Sequence, residues 1–99
     1  MLLSPKVIQG FKGKATRAVF ERTGTGRFPP EIQRNALMKL LLIDAAESLE
    51  DLKIPPSNRL EKLKGDRKGQ YSIRINQQWR ICFEWQGSDA HEVEIVDYH

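Results

Sequence analysis

The last part of the chain carries side chains that suit chemistry on a phosphate. Lys64 and Arg80 are cations, and fixed cations can neutralise the charge that develops when a phosphate ester is cleaved. Glu61 lies three residues before Lys64, close enough in sequence to share its strand or turn. The groups that can give or take a proton beside these cations are Glu61, Asp97, Tyr98 and His99.

RNA is a substrate that such groups can cleave without a metal. It brings its own nucleophile, the ribose 2′-hydroxyl beside the scissile phosphate. The protein must remove a proton from that hydroxyl and protonate the leaving 5′-oxygen, and each step contributes about 10²–10⁴-fold to the rate. Glu61, Asp97 or His99 can act as the base, and His99, Tyr98 or a lysine as the acid. Histidine alone among them has an ordinary pKa near neutrality.

The charges are separated along the chain. Residues 59–80 carry a net charge of +5, whereas residues 81–99 carry −5 and contain no lysine or arginine. A compact basic segment can attract a polyanion, although many charge runs are simply solvated surface. We expect additional RNA contacts from four basic side chains of this segment: Lys62, Arg67, Lys68 and Arg74.

Length and composition restrict the other possibilities. The chain has 99 residues and a net charge of +3, which predicts one domain over residues 1–99 and no separate cofactor-binding domain. One cysteine excludes an internal disulfide and a cysteine-based zinc cluster, and two histidines argue against a metal site. We expect no cofactor. The longest apolar run, Leu40–Ile43, is too short to span a bilayer, so we expect a cytoplasmic protein without a membrane partner.

The elements that must position these side chains follow from the periodicity. Apolar spacings of three and four predict a helix over Lys12–Arg22, and a second helix from Pro29 to about Ser48. Ser48 resembles the start of a capping box and predicts one further turn, while the prolines of residues 54–58 predict a loop without helix. The inner stripe of the second helix consists of Ile32, Ala36, Leu40 and Ile43, widened by Leu37 and Leu41.

The rest of the chain has the period of β-structure. We predict a short first strand at Lys6–Phe11, another at Leu60–Leu63, a hairpin over residues 70–86 and a last strand at His91–Val96. The order predicts an α+β domain, with two N-terminal helices packed on one face of a small, mostly antiparallel sheet. The hairpin alternation predicts one buried and one wet face. It places Arg74 and Arg80, with Lys62 or Lys64, on the wet face.

Several of these residues also have purely structural interpretations. Arg80 stands between two large apolar residues, so it is either a surface arginine or one placed for function. His99 is the last residue and has the position of a frayed end. Trp79 and Trp85 fit the core better than a base-stacking platform, and Cys82 fits a small buried residue. From the residues alone, the chain is a basic α+β module that binds nucleic acid.

A family resemblance takes the interpretation further. The ordered set of motifs is similar to the HigB-type toxins of the RelE/ParE superfamily, and it covers about the last forty residues. The motifs are Leu60–Asp66, Gly69, Tyr71–Ile73, Asn76, Trp79–Ile81, Phe83 and the terminal Asp97-Tyr98-His99. The resemblance implies a RelE-like fold and a toxin that cleaves mRNA in the ribosomal A site without a metal. It also implies a cognate antitoxin, commonly of the helix-turn-helix HigA type, and repression of operator DNA by the toxin–antitoxin complex.

The resemblance assigns roles to individual residues. Lys64 and Arg80 match the phosphate-binding and charge-stabilising cations, and Asp97-Tyr98-His99 matches the C-terminal catalytic cluster. Glu61 departs from the family, which often has a histidine there. A carboxylate can replace that histidine as the base, or it can repel RNA and lower activity.

Two other functions remain open from the sequence. A gyrase inhibitor of the ParE kind would share the fold without cleavage chemistry, and the set of lysine, arginine, tyrosine and histidine argues against it. A catalytically inactive module that binds only nucleic acid or an antitoxin stays possible because of Glu61.

Overall fold

The computed structural model describes residues 6–98, which form two helices and a four-stranded sheet. Helix α1 spans Lys14–Phe20 and helix α2 spans Pro30–Ala45. All neighbouring strands are antiparallel, in the order β1-β2-β3-β4. Their bounds are Glu61–Lys62 for β1, Gln70–Arg74 for β2, Trp79–Gln86 for β3 and Asp89–Asp97 for β4. The predicted α+β architecture is confirmed.

Helix α1 is shorter than the predicted Lys12–Arg22. Gly13 precedes it with a φ of 88°, which is not helical. At the other end Arg22 adopts a left-handed φ of 61°, and the backbone N–H of Thr23 donates to the carbonyl of Ala18 at 3.0 Å. This is the bonding of a helix C-terminus closed by a left-handed residue, and it stops the helix before Arg22.

Helix α2 begins where the prolines predicted and buries all four residues of its inner stripe. Leu41, which was expected to widen that stripe, is 42% exposed, so this prediction was wrong. The helix also ends at Ala45 rather than near Ser48, because Ala46 is extended at ψ 131°. The predicted capping box is present, with Ser48 and Asp51 bonded to each other's backbone N–H groups. It starts a separate 3₁₀ turn.

Two 3₁₀ turns, Leu49–Lys53 and Pro56–Asn58, connect α2 to β1, and a third, Gly65–Arg67, connects β1 to β2. The turn at Pro56–Asn58 lies in the loop that was expected to exclude helix. Pro56 occupies its first position, where the missing N–H needs no partner, so a single turn is compatible with proline.

The predicted N-terminal strand does not form. Within the described part of the chain, the segment 7–12 makes only two isolated parallel bridges, Ile8 to Ala90 and Phe11 to Val93. The bridges are three residues apart because β4 has a bulge, with Glu92 at a left-handed φ of 54°. A regular ladder advances in steps of two, so the segment cannot pair continuously with β4.

Both helices pack on one face of the sheet, over the row formed by Ile73, Ile81 and Ile95. The opposite face is less wet than predicted, since Ser72 and Cys82 on it are fully buried. These two side chains are buried because of a contact between distant parts of the chain. The turn at Gly65–Arg67 extends over this face and joins β4 through an ion pair described below. None of the helices in residues 6–98 is long and apolar enough to cross a membrane.

Candidate active site

Arg80 lies at the centre of the sheet face that the helices leave uncovered. It is only 7% exposed. Its Nε donates to Ser72 Oγ at 2.8 Å, and its Nη2 donates to the carbonyl oxygen of Arg59 at 2.8 Å. These bonds hold the guanidinium in one orientation. Arg80 is therefore not a solvated surface arginine, and its role in function stays a prediction.

The carbonyl of Arg59 reaches Arg80 because the backbone turns sharply there. Arg59 has φ 46° and ψ 57°, a left-handed conformation that few non-glycine residues adopt. The turn before it is anchored by the buried Asn58, whose Nδ2 donates to the carbonyls of Leu52 and Ile54, each at 3.2 Å. The Asn58 Oδ1 accepts from Lys39 Nζ on α2 at 2.5 Å. The guanidinium is thus supported from a helix packed on the far side of the sheet.

Two of the expected proton-transfer groups flank this guanidinium. Glu61 Oε1 lies 3.6 Å from Arg80 Nη2, and the Glu61 side chain is 52% exposed. The Cζ of Arg80 lies 5.5 Å from the ring centre of Tyr98, a cation–π distance. Among residues 6–98, nothing accepts a hydrogen bond from Arg80 Nη1. An anion on this face therefore meets a guanidinium donor between a carboxylate and a phenol.

The end of β4 places its last two described residues on opposite sides of the sheet: Tyr98 lies against Arg80, whereas Asp97 shares a cross-strand row with Trp79 on the helix-bearing side. Asp97 is the register partner of Trp79, and the backbone N–H of Tyr98 donates to the carbonyl of Gln78 at 2.6 Å. The side-chain amide of Gln78 also donates to Asp97 Oδ2 at 3.1 Å. Gln78 therefore fixes both the carboxylate and the backbone that carries the phenol. His99 lies outside the described residues.

The two lysines near β1 occupy different positions. Lys64 is exposed, and its ammonium makes no hydrogen bond or ion pair with the described residues. It lies just before the turn that covers part of this face, so it is free to bind a ligand from solvent. Lys62 is opposite Tyr71, which in turn is opposite Phe83 of the core. Residues in one cross-strand row share a face, so Lys62 belongs to the helix-bearing side, and its contact with RNA stays a prediction.

Comparison with known proteins identifies the family of this chain. A family model described as RelE-like toxin of type II toxin-antitoxin system HigB matches residues 9–99. Toxin HigB-1 of Vibrio cholerae is 45% identical over 76% of this chain and 80% of its own length. Endoribonuclease HigB of Proteus vulgaris is 33% identical over 94% of this chain and 100% of its own length.

This chain belongs to the HigB family of RelE-like toxins. A solved structure of the YoeB-YefM complex from Staphylococcus aureus contains a chain similar to it at a TM-score of 0.60. That similarity covers 97% of this chain and 99% of the other at 20% sequence identity, and it supports the RelE-like fold.

The HigB-family chain does not present all its predicted RNA-binding cations in the same way. Arg67 is half-buried, and its guanidinium bonds to Glu94 Oε1 at 3.3 Å and to Gln70 Oε1 at 3.1 Å. Its charge is therefore largely engaged within the protein. Lys68 is exposed at the end of the same turn. Arg74 is half-buried and donates from Nε to the carbonyl of Asn76 at 3.0 Å. A role for these residues in RNA binding stays a prediction.

Sequence reasoning missed the residues that orient this HigB-family site. Ser72, Arg59, Asn58 and Gln78 were not among the candidates, yet each bonds to a site residue or supports one. Ser72 was detectable in principle, since the alternation of the hairpin places its hydroxyl on the same face as Arg80. The others act through backbone carbonyls or loop anchors, for which the sequence offers no periodic signal.

The remaining buried group on this face is the thiol of Cys82. Burial raises its pKa above the ordinary value of 9.0, while the charges of Arg67, Glu94 and Arg80 act in smaller and partly opposing ways. The thiol is therefore a packed, protonated group at neutral pH. Within residues 6–98, no three His, Cys, Asp or Glu side chains are grouped closely enough to hold a metal ion.

Proposed function

We propose that this protein is an endoribonuclease toxin that cleaves mRNA on the ribosome. The observation that carries the proposal is the buried, doubly oriented guanidinium of Arg80, with Glu61 and Tyr98 beside it. A rigid donor aimed at developing charge is the arrangement that stabilises a phosphorane-like transition state. Membership of the HigB family and a relative named Endoribonuclease HigB support the same reaction.

The proposed step uses the RNA as its own nucleophile. The 2′-hydroxyl gives its proton to a base, and its oxygen forms a bond to the adjacent phosphorus. The bond from phosphorus to the 5′-oxygen breaks, and that oxygen takes a proton from an acid. The products are a 2′,3′-cyclic phosphate and a 5′-hydroxyl, so atoms and electrons balance without a further reactant.

Each residue then has a definite role. Arg80 and Lys64 stabilise the phosphate charge. Glu61 acts as the base, since its carboxylate lies beside the guanidinium that would hold the phosphate. The partial neutralisation of Glu61 by Arg80 also reduces its repulsion of RNA. The acid comes from the C-terminal cluster of Asp97-Tyr98-His99, and Tyr98 already lies against Arg80.

The family description also supports a protein partner. A type II system pairs a toxin with a protein antitoxin, and we propose a cognate antitoxin of the helix-turn-helix type for this chain. We further propose that operator DNA is bound only by the complex of the two. Purified complex should shift an operator fragment in an electrophoretic assay, and the toxin alone should not.

The decisive experiment is primer extension on an mRNA translated in vitro with purified protein, with a parallel reaction that lacks ribosomes. Cuts within codons that require ribosomes are the expected result. Lys64→Ala should reduce them strongly, whereas Lys12→Ala should not, because Lys12 is an exposed lysine on the N-terminal segment. Absence of cuts from folded wild-type protein would reject the proposal, and inhibition of gyrase supercoiling would then favour the ParE-like alternative.

A further inference from the structure

A cavity of about 600 Å³ opens beside the candidate active site. It lies between the 3₁₀ turn at Pro56–Asn58 and the connection from β2 to β3. Its volume is within the range of about 300–1,000 Å³ that small-molecule pockets usually have. We call it the loop–turn pocket. The reacting groups of the proposed cleavage step lie outside this pocket.

The pocket adjoins the reaction centre through two shared residues. The carbonyl oxygen of Arg59 accepts from Arg80 Nη2 at 2.8 Å, and Arg59 also lines the pocket. Arg74 lines the pocket as well and is the direct register partner of Arg80 on the neighbouring strand. A polymer whose phosphate is bound by Arg80 therefore has this pocket next to it.

The charge of the pocket suits an anion. The Arg59 guanidinium makes no hydrogen bond or ion pair with residues 6–98. Arg74 uses only its Nε internally, to bond the carbonyl of Asn76 at 3.0 Å, which leaves its terminal nitrogens as donors. The described residues that line the pocket include no carboxylate. Two guanidinium groups without a carboxylate favour a phosphate, which they can bind with paired hydrogen bonds.

The other walls of the pocket suit a nucleobase. Pro56 and Ile75 give the pocket apolar surface, against which a ring can lie. Asn76 gives it a polar edge whose orientation is fixed. The Asn76 Oδ1 accepts from the backbone N–H groups of Gln78 and Trp79, each at 2.8 Å, so its Nδ2 remains as a donor. Two apolar side chains beside an amide of fixed orientation can hold the ring and the polar edge of a nucleobase.

We propose that the loop–turn pocket binds one nucleotide of the RNA strand next to the scissile phosphate, with Arg59 and Arg74 on its phosphate group. This proposal rests on the proposed function, because the strand reaches the pocket from Arg80. It adds a second point of attachment that holds the RNA in register with the reacting groups.

The test measures binding apart from cleavage. The probe is a short single-stranded RNA that is 2′-O-methylated at every position, so that it lacks the nucleophile, and binding is followed by fluorescence anisotropy at several salt concentrations. Arg59→Gln and Arg74→Gln should each weaken binding about tenfold. Each should also reduce the slope of log affinity against log salt by about 0.7, the value for one lost phosphate contact on a single strand.

Matched variants separate a lost phosphate contact from a general loss of charge or of folding. Arg34→Gln removes the same charge from the exposed surface of α2 and should leave affinity and slope close to wild type. Arg59→Lys and Arg74→Lys keep the charge and should restore most of the salt slope. Thermal unfolding of each variant checks that the β2–β3 connection is intact.

The binding results either support or overturn the proposed nucleotide pocket. Wild-type salt slope and affinity in both glutamine variants would overturn the pocket, and so would absence of probe binding by the wild-type protein. In the mRNA cleavage assay, the same variants should raise KM. Failure of the proposed function looks different, because the wild-type protein would then not cut mRNA while probe binding still depended on Arg59 and Arg74.

Discussion

At the scale of single residues, the site depends on how the donors of Arg80 are shared. Nε and Nη2 are bonded to Ser72 and to the carbonyl of Arg59, so the side chain cannot rotate to follow solvent. No residue within 6–98 accepts a hydrogen bond from Nη1, and we propose that this donor binds the substrate phosphate. A group oriented before the substrate arrives needs little reorganisation when charge develops, which is why such donors contribute strongly to catalysis.

Replacement of Arg80 tests this division of its donors. Arg80→Lys keeps the charge but cannot bond Ser72, the Arg59 carbonyl and a phosphate at once, because an ammonium lacks the planar fork. We expect mRNA cleavage to fall about 10²–10³-fold, the usual cost of one lost transition-state donor. The initial rate of mRNA cleavage measures this fall. Arg34→Lys, the same substitution at an exposed position of α2, is the control. A rate within twofold of wild type would contradict the assignment.

The role of Glu61 can be tested by two replacements at the same position. Glu61→Gln removes the base but keeps the shape, and cleavage should fall about 10²–10⁴-fold. Glu61→His restores a base of the type common in the family and should retain activity at neutral pH. Single-turnover cleavage rates compare the three proteins. If Glu61→Gln is as active as wild type, the base is elsewhere, with Asp97 and His99 as the candidates.

At the scale of elements, a buried asparagine connects the helical layer to the sheet face that carries Arg80. Asn58 bonds the loop carbonyls of Leu52 and Ile54 and accepts from Lys39 of α2, so the turn at Pro56–Asn58 has a fixed position. The residue after it then presents its carbonyl to Arg80. The orientation of the guanidinium is thus determined by an element that does not belong to the sheet.

Removal of the Asn58 amide should therefore affect both stability and cleavage. Asn58→Ala removes the partner of the buried Leu52 carbonyl, of the part-buried Ile54 carbonyl and of a lysine, and we expect the free energy of unfolding to fall by about 1–3 kcal/mol. Urea denaturation measures this free energy. Asn35→Ala, at an exposed position of α2, is the matched control and should have little effect. A wild-type unfolding curve for Asn58→Ala would show that the anchor is dispensable.

At the scale of the whole molecule, folding brings the basic and acidic segments together. Residues 59–80 carry a net positive charge and residues 81–99 carry a net negative charge, yet they contribute adjacent strands of one sheet. The contact of Arg67 with Glu94 crosses from one segment to the other, over a row in which Ser72 and Cys82 are buried. The uncovered face is therefore a mixed surface with a local basic centre, and its cations do not all face solvent.

The burial of Cys82 predicts an alkaline limit to stability. Below the ordinary thiol pKa of 9.0 the group is protonated in both states and adds no pH dependence. As the pH rises above that value the unfolded thiol ionises while the folded one stays protonated, because burial raises its pKa. Ionisation then favours the unfolded state, so stability falls towards the folded pKa.

The difference between wild type and Cys82→Ala isolates this effect. The alanine variant has a lower stability at every pH because it loses packing, but it lacks the thiol ionisation. Between about pH 8 and about pH 10 the stability gap should narrow, since only the wild-type protein loses the contribution of this thiol. Urea midpoints across that range measure the gap. A gap independent of pH would show that the folded thiol ionises normally.

The sequence by itself determined the order of elements and the faces of the hairpin. Alternation in residues 70–86 separated Ile81 and Phe83 from Arg80 and Cys82, because the side-chain period of a strand is fixed by backbone geometry. The inner stripe of α2 followed from the helical period in the same way. The family was also readable, because its motifs lie in one ordered set near the C-terminus.

Only the tertiary structure decided which of these residues form a site. Arg80 becomes a buried, oriented group because a left-handed residue twenty-one positions earlier in the chain supplies a carbonyl. The segment 7–12 fails to become a strand because a bulge in β4 interrupts the pairing between its two bridges. Burial, register and loop carbonyls depend on contacts between distant parts of the chain. Local periodicity holds no information about such contacts, whereas packing fixes them.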